Sequence, residues 1–211
     1  MTVNHSILNK LHELTINSNC ELLIVTKNQN ITDINYLIDN NFLIFGENRV
    51  QEAKNKFQDN IRSKNLILHL IGPLQRNKVK DALNLFDVIQ TVDRPSLVDE
   101  IYKIRLDNNF LKTKEFFIQV NIGNEDQKSG ITKANTFDLY RYALSKGLQI
   151  TGLMCIPPNI SDPSQYFQEM ITIRDKLNPK LKLSMGMSAD YKIALKYQSN
   201  IIRIGSLIFQ K

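Results

Sequence analysis

The chain has 211 residues, 42% hydrophobic and 23% charged, the make-up of a globular protein long enough to bury a proper core. No apolar run approaches the ~20 residues that cross a bilayer, and His5, Lys10, His12 and Glu13 stand where an export signal needs an unbroken apolar stretch. The net charge of +6 admits an anionic partner, but the lysines are spread out, without the clustered cations and exposed aromatics of a nucleic-acid binder.

From the N-terminus, a helix is predicted over "SILNKLHELTI" (6–16), with Ile7, Leu8, Leu11 and Leu14 on one face. Strand and helix then alternate. The strands are "LLIVT" (22–26), "FLIFG" (42–46), "LILHLIG" (66–72), "DVIQTV" (87–92), "FFIQVNI" (116–122), "ITGLMCI" (150–156), "LKLSMGM" (181–187) and "NIIRIGSLIF" (200–209). Between them lie helical patterns at 32–40, 50–60, 77–86, 95–108, 136–147, 164–177 and 188–198. Pro95 suits a first helical turn and Gly147 a helix end. The strands are continuous apolar runs, as in a parallel sheet covered on both faces.

Eight strands with seven intervening helices predict a single (β/α)8 TIM-barrel domain over 1–211, with the first helix standing in for the eighth. A doubly wound sheet is the alternative, but no Gly-x-Gly-x-x-Gly turn follows an early strand. Cys20 and Cys155 form no C-x-x-C pair and have no nearby histidine, so neither a disulfide framework nor a metal site is expected, and the protein is expected in the reducing cytoplasm.

In such a barrel the chemistry sits at the C-terminal ends of the strands, with phosphate commonly held by the loops after strands 7 and 8. Ser188 stands before "ADYKIALKYQ" as an expected N-cap, and Gly205-Ser206 lies in the last apolar run. Arg203 alternates with Gly205, so both face one side. Buried there, the guanidinium needs a ligand or an acid such as Glu47. Lys27 ends the first strand among apolar neighbours; loss of solvation would lower its pKa and free the amine as a nucleophile. Alone, it reads more readily as the solvated tip of a strand. With a phosphate cradle, the pattern suits an aldehyde carrying phosphate, either pyridoxal 5′-phosphate or a sugar phosphate.

The segments "VTK", "FGENRVQE", "HLIGPLQRNK", "TVDR", "VNIGNEDQKSGI", "GLMCIP", "LSMGMSADYKIAL" and "RIGSLIF" run in an order and spacing that resembles the YggS/PROSC-type pyridoxal phosphate homeostasis proteins, relatives of the alanine racemase barrel. The resemblance spans about Leu22 to Phe209. It implies pyridoxal 5′-phosphate as cofactor, held as a Schiff base on Lys27, with Ser188, Gly205 and Ser206 at its phosphate. It places Arg203 at the pyridine nitrogen, and Asn48, His69, Met154 and Met187 around the ring. Thr26 stands where the family commonly has serine, Asn30 near a usual proline, and Gln210 where a glycine is usual.

Racemisation needs acid/base groups on both faces of the cofactor, and the resemblance implies that alanine racemase draws its second from a separate β-domain. Here only Lys27 is evident, so a non-catalytic, monomeric carrier is expected, with apo-enzymes as recipients of the cofactor; the alternative is a weakly active racemase or lyase. Lys78 and Lys128, after strands on the same face, are weaker candidates for holding anions or transiently accepting the cofactor; solvated loop lysines are the simpler reading.

Overall fold

The computed structural model describes residues 3–57, 65–108 and 111–209. Residues 58–60 of the predicted third helix, and Gln210, lie outside them.

Eight parallel strands close into a barrel. They are β1 (Glu21–Val25), β2 (Ile44–Glu47), β3 (Ile67–Leu70), β4 (Val88–Val92), β5 (Glu115–Asn121), β7 (Ile150–Cys155), β8 (Lys182–Met187) and β9 (Ile201–Ile204), each paired with its neighbours, and β1 pairs with β9. A two-residue strand, β6 (Ile131–Thr132), lies beside the end of β5. The helices are α1 (His5–Asn17), α2 (Ile31–Asp39), α3 (Val50–Lys56), α4 (Val79–Leu85), α5 (Pro95–Asp107), α6 (Thr136–Ser145), α7 (Ser164–Leu177) and α8 (Tyr191–Lys196).

The continuous apolar runs follow from two cores. Successive strand residues point to opposite faces. Leu23, Val88, Phe117, Met154 and Ile201 pack together inside the barrel. Their sequence neighbours Ile24, Ile89, Phe116, Leu153 and Ile202 join the outer layer with Leu8, Leu37, Leu83 and Phe167 of the helices. Both faces of the sheet are therefore covered, except at strand ends such as Ile67, which is 42% exposed.

On α1, Leu8 and Leu11 are buried, whereas Ile7 and Leu14 are only partly so, and Thr15 completes the buried face. The chain before α1 is tied to the stretch after β9: Asn4 N–H donates to the Ile208 carbonyl at 2.7 Å, and Val3 bridges Phe209. The first helix thus takes the place expected of it. Asn30, at the unusual position noted above, is the N-cap of α2 and accepts from Asp33 N–H at 2.8 Å. Pro95 occupies the first turn of α5.

Gly147 closes α6 at φ +71°. Its N–H donates to the Leu144 carbonyl and Leu148 N–H to that of Ala143, the paired bonds of a left-handed helix stop. A Cβ there would meet nothing within 4 Å, so only backbone strain opposes a side chain. Gly147→Ala is expected to cost roughly 1–2 kcal/mol, read as a lower urea midpoint with an unchanged slope.

One irregularity shapes the barrel mouth. The β8–β9 register shifts between Ser184 and Met187, where Gly186 has φ +95° and a Cβ would stand 2.5 Å from that of Ala194 on α8. Glycine is needed for both the conformation and the close approach. The bulge brings Met187 into register with Arg203.

Candidate functional site

Three adjacent strands, β8, β9 and β1, carry most of the expected site to one end of the barrel. Arg203 is in register with Leu23 on β1 and with Met187 on β8. Gly205 follows on the same face, so close to β1 that a Cβ would stand 3.0 Å from the Val25 carbonyl oxygen. Two residues beyond Val25 is Lys27, in a turn where Gln29 N–H donates to the Thr26 carbonyl at 3.0 Å and Asn28 adopts φ +60°. Lys27 and Ser206 are exposed, while Ser188 and Met187 are half-buried.

Three expectations are corrected here. Ser188 is not a helix cap. Asp190 is the N-cap residue of α8, and its carboxylate accepts from Met187 N–H at 2.6 Å while its own N–H donates to the Met187 carbonyl. That reciprocal pair closes the turn and leaves Ser188 at its bend. Glu47 does not pair with Arg203. Gly46 faces the barrel interior, where a Cβ would strike Leu23 and Ile71, so Glu47 points outward, beneath α3, where it meets Lys56 at 3.0 Å. Lys27, finally, keeps its solvation instead of losing it to its apolar neighbours.

Arg203 is 3% exposed. Its Nη1 donates to the Ser184 carbonyl at 2.6 Å and to Ser184 Oγ at 2.9 Å, and its Nη2 donates to the Cys155 carbonyl at 2.8 Å. All are neutral oxygens, and no carboxylate pairs with it among the described residues. Burial pushes its pKa below the usual arginine range. With three of its five N–H donors used, the guanidinium keeps capacity for a further acceptor.

From Ser184 a directional chain crosses the barrel. Ser184 Oγ donates to Gln90 Oε1 at 2.7 Å, and Gln90 Nε2 donates to His69 Nδ1 at 2.8 Å. His69 therefore carries its proton on Nε2. Burial, with repulsion from Lys182, pushes its pKa down to about 3, so the imidazole is neutral at physiological pH. Burial likewise pushes the Cys155 thiol up to about 12, which makes it inert.

The remaining candidates are scattered around this centre. Met154 is fully buried in the inner core. Asn48 lies at the end of β2, lining a cavity of about 530 Å³ with Arg49, Gln51, Pro73, Gln75 and Lys78. Lys128 donates to the Pro157 carbonyl at 2.9 Å and pairs with Glu125, bracing the loops after β5 and β7. Gln90 and Ser184 are not among the expected site residues, although each is a polar residue interrupting an apolar run, a signal that a buried partner is required.

The pattern fits a phosphate-bearing pyridine aldehyde. A buried guanidinium with spare donors suits a neutral ring nitrogen, the glycine at 205 lets β9 approach β1 closely, and an exposed amine stands at the end of β1. No family model matches the chain. It is 37% identical over 175 residues to the pyridoxal phosphate homeostasis protein of Aquifex aeolicus, covering 79% of this chain and 75% of that one. It is 35% identical over 200 residues to the protein of the same name from Vibrio alginolyticus, covering 90% and 85%. The structure of PipY from Synechococcus elongatus without pyridoxal phosphate superposes with a TM-score of 0.86 at 29% identity, over 96% of this chain and 99% of that one. PipY with pyridoxal phosphate bound gives 0.80 at 28% identity, over 96% and 99%. Alanine racemase from Acinetobacter baumannii shares the fold at 17% identity and a TM-score of 0.71, over 94% of this chain and 58% of that one. By sequence and by fold, this chain belongs to the pyridoxal phosphate homeostasis protein family.

Proposed function

We propose that this protein is a single-domain carrier that binds pyridoxal 5′-phosphate and holds it as a Schiff base on Lys27, serving vitamin B6 homeostasis without significant turnover. The observation that carries the reading is the meeting of Lys27, the Met187–Ser188 turn and the Gly205–Ser206 turn around buried Arg203, on three adjacent strands. The names of the relatives and the pyridoxal phosphate bound to PipY support it.

In this reading Ser188, Ser206 and the backbone at Gly205 bind the phosphate, and Asn48, His69, Met154 and Met187 line the ring pocket or its support. The cofactor supplies an electron sink when bound. Arg203, itself always a donor, holds the ring nitrogen unprotonated and so weakens that sink. Lys27 is the one acid/base group expected at the reacting carbon, whereas His69 is neutral, buried and tied to Gln90. A single group cannot serve both faces of a substrate. The protein acts in the cytoplasm as a monomer, with apo-enzymes as recipients.

Borohydride reduction followed by peptide mass mapping tests the assignment. A pyridoxyl group on the peptide holding Lys27 is expected; no label, or a label confined to another lysine, overturns it. Amino-acid turnover with loss of α-deuterium would overturn the non-catalytic part.

A further inference from the structure

The two peptide groups that hinge on the Cα of Lys27 are both held by charged side chains of α3. On the N-terminal side, the Thr26 carbonyl accepts from Lys56 Nζ at 2.6 Å. On the C-terminal side, Asn28 N–H donates to Glu52 Oε1 at 2.5 Å. Lys56 and Glu52 pair with each other at 2.5 Å, and Lys56 also donates to Glu47 Oε1 at 3.0 Å. The Thr26 hydroxyl donates to that same oxygen at 2.7 Å. All three N–H donors of the Lys56 ammonium are thus matched to oxygens. Lys56 is only 12% exposed and Glu47 is fully buried.

This arrangement is more than a helix-surface ion pair. An exposed i,i+4 pair stabilises its own helix weakly and constrains little beyond it. Here the pair grips main-chain groups 30 and 24 residues upstream, on either side of one residue. The gripped residue has an exposed side chain with no partner of its own among the described residues. Rigid backbone under a free amine is what orientation of a nucleophile requires, because misplacement by about 1 Å can cost 10²-fold in rate.

We propose that Lys56 and Glu52 are positioning residues that lock the Lys27 backbone and so set the approach of its neutral amine to the aldehyde of pyridoxal phosphate, where a carbon–nitrogen double bond forms as the aldehyde oxygen leaves as water with the two amine hydrogens. The proposal rests on the assignment of Lys27 above. The test follows the rate at which the visible absorption of the bound chromophore appears when pyridoxal phosphate is added to cofactor-free protein, together with hydrogen exchange of the Asn28 amide. Lys56→Ala is expected to slow attachment by about tenfold or more and to speed exchange at Asn28, with Lys56→Arg restoring most of the rate. Glu52→Gln keeps an acceptor while removing the charge, and serves if Lys56→Ala does not fold; it is expected to slow attachment by a smaller factor. Gly147→Ala, strained at the opposite end of the barrel, is expected to keep the wild-type rate despite its lower stability. Wild-type rates in Lys56→Ala and Glu52→Gln, or equal slowing in Gly147→Ala, overturn the clamp while leaving Lys27 in place. A borohydride label that maps away from Lys27 removes the assignment beneath it.

Discussion

Lys27→Ala is expected to abolish covalent capture of pyridoxal phosphate while leaving stability within about 0.5 kcal/mol of wild type. The two halves have separate causes. The side chain is exposed, makes no hydrogen bond or ion pair among the described residues, and stands beyond the last paired residue of β1. Alanine therefore removes no packing. The backbone is held independently through Thr26 and Asn28, so the turn survives. What disappears is the amine. The band of the lysine adduct and the borohydride-fixed mass should both vanish, while Arg203 and the two turns still give reversible binding detectable by equilibrium dialysis. A retained band would place attachment elsewhere, and a collapsed urea midpoint would mean that Lys27 is structural.

The second large effect is on pH. The ordinary histidine value is 6.5, and His69 in the fold is pushed down to about 3. The unfolded chain therefore takes up a proton at this site near pH 6.5, and the folded one does not until about pH 3. Between those values the unfolded state binds more protons, so stability falls as pH falls, by about 1.4 kcal/mol per pH unit. Above pH 6.5 the site contributes no slope. His69→Gln keeps a polar acceptor for Gln90 and has no proton to gain. Urea midpoints at pH 7.5, 6 and 5 should show wild type losing about 2 kcal/mol more than the variant from pH 7.5 to 5. Glu47 runs the other way, since burial raises its pKa and its protonation in the fold offsets part of the acid loss. That contribution is common to both proteins and cancels in their difference. Parallel curves would show that His69 is protonated within the fold.

The barrel was legible because a strand buried on both faces must be apolar throughout, and eight such runs recur with helical stretches between them. Alternation puts Arg203 and Gly205 on one face, as the strand register has them, whereas Lys27 is marked only by its place at a strand end. The failures have specific causes. Alternation divides a strand into two faces but does not say which lies inside, so Glu47 was assigned to the interior until Gly46 claimed that side. The helix after β8 starts later than its pattern suggests, because Asp190 bonds back to Met187 and takes the cap from Ser188. The hold of Lys56 on the Thr26 carbonyl joins groups thirty residues apart, and no local pattern marks it.

The chain from Arg203 through Ser184 and Gln90 to His69 has a consequence for proton traffic. Its hydrogen bonds all run one way, and its middle member is a carboxamide, which donates through nitrogen and accepts through oxygen but does not pass a proton from one to the other. The barrel's centre is thus a strut and an insulator. Proton exchange with bulk water does not pass along this row of hydrogen bonds.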